Sequence, residues 1–175
     1  MVLLALAVYL VATISIQTVH VVGISMSPSL SNGDLVLASK LDYRVHDPER
    51  GDIVILKDPM DGSKDFIKRI IGLPGDRILI RNRQVFVNSH PLEEPYLSSA
   101  WVATPNWPDR ATEPDGEVVP PATYFVLGDN RDHSSDSRLF GYISRDTIEG
   151  KAVVRIWPFD HATLLNTRPT LAKES

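Results

Sequence analysis

Asp65-Phe66-Ile67-Lys68-Arg69-Ile70-Ile71-Gly72-Leu73-Pro74-Gly75-Asp76 carries the pattern of a β-strand that ends on a turn. Aromatic and β-branched residues fill its first part, and Gly72, Pro74 and Gly75 close it. The strand period of two sets Phe66, Lys68 and Ile70 on one face and Ile67, Arg69 and Ile71 on the other. Lys68 then projects between two apolar side chains, where burial disfavours an ammonium. Lowering a lysine from about 10.4 to about 7 to 8 corresponds to roughly 3 to 5 kcal/mol of differential solvation. The competing expectation is that the lysine stem leads its charge back to solvent, as most strand lysines do. Arg69 has no comparable role as a base, because a guanidinium stays protonated.

Working outward, further short apolar runs are broken by Gly, Pro, Asn and Asp: Asp34 to Ser39, Asp52 to Leu56, Arg77 to Ile80, Gln84 to Val87, Tyr124 to Leu127 and Ala152 to Ile156. Arg81-Asn82-Arg83, between two alternating runs, reads as a hairpin turn. Helical periodicity is weak beyond residue 22, so the fold class is mainly β. The proline-rich stretch from Pro91 to Pro121, with Trp101 and Trp107, reads as an inserted subdomain or surface excursion at about residues 88–121. The β domain is expected over residues 23–160, and the tail 161–175 carries no legible chemistry.

From Met1 to Gly33 no Asp, Glu, Lys or Arg occurs, and Val2 to Val22 is dominated by Leu, Val, Ala and Ile. A span needs about 20 mainly apolar residues to cross about 30 Å of hydrocarbon, so residues 1–22 read as a transmembrane anchor. A cleaved signal peptide would want a basic leader and a shorter apolar run. Orientation does not follow from charge, since no Lys or Arg precedes the span.

The 175 residues carry a net charge of -4, which argues against nucleic acid as a partner. There is no cysteine, which excludes disulfides, a thiol nucleophile and cysteine-held metals. The five histidines never fall at the spacing that presents two ligands on one helix face, so no metal or cofactor is expected.

Two more segments carry chemistry. Gly23-Ile24-Ser25-Met26-Ser27-Pro28-Ser29-Leu30 places a serine between a glycine and a proline directly after the anchor. Alone it reads as a turn serine, since a hydroxyl needs a base before it attacks a carbonyl. Gly128-Asp129-Asn130-Arg131-Asp132-His133-Ser134-Ser135-Asp136-Ser137-Arg138-Leu139-Phe140-Gly141 is a dense run of turn formers and charges after a strand. Asp136 and Arg138 suit holding that loop, and Ser134 suits orienting a lysine amine.

In this order and after an apolar segment, the three stretches resemble the conserved boxes of bacterial type I signal peptidases. These are Ser-Met-x-Pro-Ser-Leu, Ile-Lys-Arg-Ile-Ile-Gly-Leu-Pro-Gly-Asp and Gly-Asp-Asn-Arg-Asp-x-Ser-x-Asp-Ser-Arg, and Gly51-Asp52-Ile53-Val54 resembles an intervening box. The resemblance covers roughly residues 1 to 156 and implies a signal-peptidase-like β fold of antiparallel sheets behind one N-terminal transmembrane helix.

By that resemblance Ser25 is the nucleophile, Lys68 its general base and Ser134 the group that orients the base, supported by Asp136 and Arg138. Val21, Met26, Leu30, Phe66 and Ile67 would line shallow pockets for the small residues of an A-x-A-like cleavage site. The implied substrates are signal peptides of exported preproteins. The implied setting is a monomer in contact with lipid, single-pass in the plasma membrane, with its catalytic domain on the extracytoplasmic face. Two departures stand out. Gly23 replaces a serine that some members use in the oxyanion hole, and His133 stands where asparagine is common. The latter admits a Ser25-His133-Asp136 triad as a minor alternative. A self-cleaving Ser-Lys protease related to the SOS repressors and an inactive peptide-binding β module are the rival readings.

Overall fold

A computed structural model describes residues 15–60, 62–97, 101–102, 106–109 and 115–172. The strands are β1 (Ile16–His20), β2 (Leu35–Ser39), β3 (Ile53–Lys57), β4 (Asp65–Gly72), β5 (Arg77–Arg81), β6 (Gln84–Val87) and β7 (His90–Glu93), then β8 (Glu117–Val118), β9 (Thr123–Leu127), β10 (Ile143–Ser144), β11 (Ile148–Trp157), β12 (Thr163–Leu164) and β13 (Thr170–Leu171). The larger sheet runs β1-β2-β11-β3-β4-β9-β10 with β12 on β11, and the smaller runs β13-β7-β6-β5-β8. Every ladder is antiparallel. The only helical pieces among the described residues are short, such as Asp42–Val45 and Ser137–Phe140. A mainly β fold of antiparallel sheets is therefore present.

Each run expected as a strand falls on one of these elements, with Asp34 and Asp52 standing one residue ahead of β2 and β3. The Arg81-Asn82-Arg83 turn is a tight hairpin in which Arg81 faces Gln84 across β5 and β6. Asn82 and Arg83 adopt φ of 50° and 62°, the left-handed pair that matches strand twist in a two-residue loop.

Three segments differ from the sequence reading. The apolar stretch expected as an anchor to Val22 gives up its last part to β1, which pairs with β2 from Ile16↔Ser39 to His20↔Leu35. Gln17, Thr18 and His20 interrupt the apolar run there, and the β-branched residues beside them suit an edge strand. Residues 1–14 of the expected anchor lie outside the described residues, and no described helix is long and apolar enough to cross a membrane. The region 88–121, expected as an inserted subdomain or surface excursion, contributes to the smaller sheet in its described parts. It supplies β7 and β8, and Trp101 and Trp107 pack in a core with Ile71, Ile78, Val85 and Phe125. The tail also has structure: β12 pairs with β11, β13 with β7, and Arg168 reaches Asp52 at 3.0 Å.

β4 is central in one half and an edge in the other. Asp65 to Arg69 pair with β3, but β9 joins only from Arg69↔Leu127 onward. Among the described residues, the opposite edge of Asp65–Lys68 therefore has no strand beside it. At that level β9 ends and the 128–136 loop departs, which sets the loop next to Lys68.

Candidate active site

Phe66 and Ile70 pack on one face of β4 within the cluster formed by Val54, Leu56 and Val126. Lys68 lies between them, 3% exposed, with its Nζ 5.0 Å from the Phe66 ring centre. Its stem does not lead the charge to water. Burial is the main reason its pKa falls to about 8; the Asp136 and Asp129 charges oppose the fall and Arg138 adds to it. The amine is thus partly neutral near neutral pH, and its Nζ donates to Ser25 Oγ at 3.0 Å. That distance lies within the reach required for proton transfer.

Ser25 sits in the turn between β1 and β2. Asn130 straps this turn to the loop after β9: its backbone N–H donates to Ser25 O at 3.0 Å and its Nδ2 to Ile24 O at 3.1 Å. Gly128 makes the approach possible, because a Cβ there would lie 2.2 Å from Ser134 Oγ and 2.5 Å from Ser25 O. Ser134 Oγ is buried beside Gly128 without a hydrogen-bond partner. A buried hydroxyl without a partner carries a desolvation cost of about 1–3 kcal/mol, the kind of strain that functional sites retain.

Asp136 is fully buried. It accepts from Gly128 N at 3.0 Å and from Arg138 Nε and Nη2, both at 2.8 Å, while capping the helix Ser137–Phe140. Its oxygens are committed to Arg138 and Gly128, so the Ser25-His133-Asp136 alternative is not assembled. His133 is exposed on the groove wall. Asp136 and Arg138 pair with each other within the loop, and Asp136 ties it to Gly128.

Residues singled out only as part of the boxes carry much of the geometry. Arg69, 1% exposed on the other face of β4, makes a two-pronged pair with Asp129 at 2.8 and 2.7 Å and donates to Gly51 O and Thr167 O. Ser137 Oγ accepts from Val126 N at 2.9 Å, tying the loop to β9. Asp129 stands in a dense run of charges directly after an expected strand; its partner was not readable from spacing.

A groove of about 670 Å³ opens on the Ser25 and Lys68 side chains, walled by residues 19–26 on one side and residues 64–68 on the other. Val21, Met26, Phe66 and Ile67 line it. Leu30 does not: it is fully buried and supports Val21 and Met26 from behind. Gly23, at φ of 98°, lies in the wall with open space where a Cβ would point. Among the described residues no group of His, Asp and Glu gathers as a metal site.

The model of the family described as signal peptidase, peptidase S26, matches residues 1–157. The chain is 38% identical over 154 residues to signal peptidase I of Leptolyngbya laminosa, covering 83% of this chain and 71% of that one. It is 40% identical over 147 residues to a probable signal peptidase I-2 of Synechocystis, covering 81% and 63% respectively. A signal peptidase I crystal structure from Enterococcus faecalis V583 superposes with a TM-score of 0.53 at 37% identity, covering 61% of this chain and 97% of that one. A buried amine facing a serine hydroxyl beside an open strand edge, together with these likenesses over most of its length, places the chain in the signal peptidase family, peptidase S26, as a serine endopeptidase of the type I signal peptidase kind.

Proposed function

We propose that the chain removes signal peptides from exported preproteins with Ser25 as nucleophile and Lys68 as its general base, cutting after small residues. The observation that carries this reading is the 3.0 Å contact from the buried Lys68 amine to the Ser25 hydroxyl. The neutral amine takes the Ser25 proton as Oγ attacks the scissile carbonyl. The resulting ammonium then protonates the leaving amine, and an activated water hydrolyses the acyl-enzyme. Ser134 does not hold the amine in this structure; its buried hydroxyl, without a partner among the described residues, is the group left to take up the amine as the proton moves. The Ser25 backbone N–H is the oxyanion donor that the position of the nucleophile supplies; Gly23 offers no side chain to add to it.

The free edge of Asp65–Lys68 accepts an extended peptide by main-chain pairing, and alternate side chains of that peptide point into the groove. Val21, Met26, Phe66 and Ile67 leave room there for small side chains. Contact with lipid is supported by apolar side chains near the groove. Val22 and Ile24 are 88% and 55% exposed. Trp157 pairs across to Leu35, itself opposite His20, and stacks edge-on with the exposed Phe159 at 4.8 Å. Such aromatic pairs favour the membrane-water boundary. The site would then face the bilayer from the extracytoplasmic side, served by a membrane-anchored monomer.

The test is cleavage of a purified preprotein in detergent. Ser25→Ala and Lys68→Ala should each leave the substrate intact while retaining the wild-type melting transition. Cleavage by Lys68→Ala at the wild-type rate would sink the Ser25-Lys68 assignment.

A further inference from the structure

Glu94, Pro95 and Tyr96 follow β7 in the smaller sheet, in a region to which the sequence assigned no role. Their side chains reach across to the two arginines that brace the Ser25 site. Arg131 Nε donates to Gly128 O at 3.0 Å, fixing the peptide whose missing side chain lets Ser25 and Ser134 approach. The guanidinium of Arg131 is itself gripped by both oxygens of Glu94, one of them at 2.8 Å, and lies over the Trp101 ring at 4.7 Å. Both side chains of this pair are nearly fully buried.

Glu94 Oε1 also accepts the Tyr96 hydroxyl at 2.6 Å. The Tyr96 ring carries the Arg69 guanidinium at 3.8 Å from its centre. Arg69 follows Lys68 in β4 and grips Asp129, whose neighbour Asn130 holds Ser25 O and Ile24 O. Burial and the Glu94 charge keep the Tyr96 phenol far above its ordinary range, so it remains a neutral donor. One carboxylate thus closes two chains of contact, one ending at Gly128 and the other at the Lys68 and Ser25 backbones.

We infer that Glu94 and Tyr96 are positioning residues, which hold the smaller sheet against Arg131 and Arg69 and thereby fix the Ser25 loop relative to Lys68. This rests on the Ser25-Lys68 reading. Neither residue touches substrate, so releasing them acts on the rate of the chemical step and leaves peptide binding at the β4 edge unchanged.

The experiment compares kcat and KM of Glu94→Gln, Glu94→Asp and Tyr96→Phe on a preprotein. Rates are expressed per folded molecule from the circular dichroism melt. Glu94→Gln should lower kcat by about 10- to 100-fold, the loss expected for a displacement near 1 Å, with KM unchanged. Glu94→Asp should recover part of that loss. Tyr96→Phe, which keeps the ring on Arg69 and removes only the hydroxyl, should fold normally and lose a few-fold in kcat, so it carries the test if Glu94→Gln does not fold. A kcat per folded molecule equal to wild type in the variants that fold would overturn the inference, as would a rise in KM with kcat preserved. Lys68→Ala in the same assay separates the two readings. If it is inactive while Glu94→Gln and Tyr96→Phe match wild type, only the positioning role falls; if it is active, the underlying assignment falls.

Discussion

On one face of β4, Arg69 is met by both oxygens of Asp129, two carbonyls, the Ser29 hydroxyl and the face of Tyr96. On the other face, one residue away and as deeply buried, Lys68 meets the Ser25 hydroxyl and a phenyl ring. The same strand thus keeps one cation charged and leaves the other poised to lose its proton. The difference teaches that burial alone does not make a base. Burial without a carboxylate in contact does, and it requires a side chain whose charged form can give up a proton in the accessible range.

Several substitutions break or sharpen this contrast. The largest effect belongs to Lys68→Arg, which places a permanent cation where the proposed mechanism calls for a neutral amine. Cleavage of a preprotein should fall by about 10⁴-fold, as for Lys68→Ala, whatever the stability of the variant. Asp129→Asn strips Arg69 of its counter-charge and leaves it buried. Loss of one partner of a buried pair costs about 3–5 kcal/mol, visible as a lower midpoint in urea unfolding.

The third prediction concerns pH. With a Lys68 pKa of about 8, set first by burial, kcat/KM should climb as the amine deprotonates and level off above that value. The sign for stability is the same: between about 8 and the unfolded value near 10.4 the unfolded chain binds the extra proton, so stability rises with pH across that window and the contribution is missing below it. Asp136→Asn removes a charge that opposes the depression and frees Arg138, which favours it, so the acid limb should move to lower pH. The smallest effect is expected for Gly23→Ser. Its backbone, at φ of 98°, charges a side chain about 1–2 kcal/mol of strain, and although space is open, the rate should change little. A substantial gain in kcat would show that the added hydroxyl had joined the oxyanion hole.

Most of the larger sheet was legible because its strands are short β-branched runs broken by Gly, Pro, Asn and Asp, signals that are local. β1 was not, since its alternation is superimposed on an apolar run that has no charge to mark a boundary. β12 and β13 are two residues each and owe their form to partners far along the chain. The same reason separates the site residues. Strand alternation allowed a desolvated Lys68 beside a solvent-seeking one and only the resemblance paired it with Ser25, whereas the partnership of Arg69 with Asp129 spans 60 positions and Arg131 with Glu94 spans 37. Leu30 was placed on the groove from its motif, and the core behind Val21 and Met26 claimed it instead.

The half-paired state of β4 has a further consequence. A peptide that adds beside Asp65–Lys68 cannot slide onward along the strand, because β9 occupies the edge from Arg69. On the proposed mode of peptide addition, the end of β9 would act as a stop, and the bond presented to Ser25 would be set by backbone positions counted from it. Such a ruler allows sequences with little in common to be cut at one defined place.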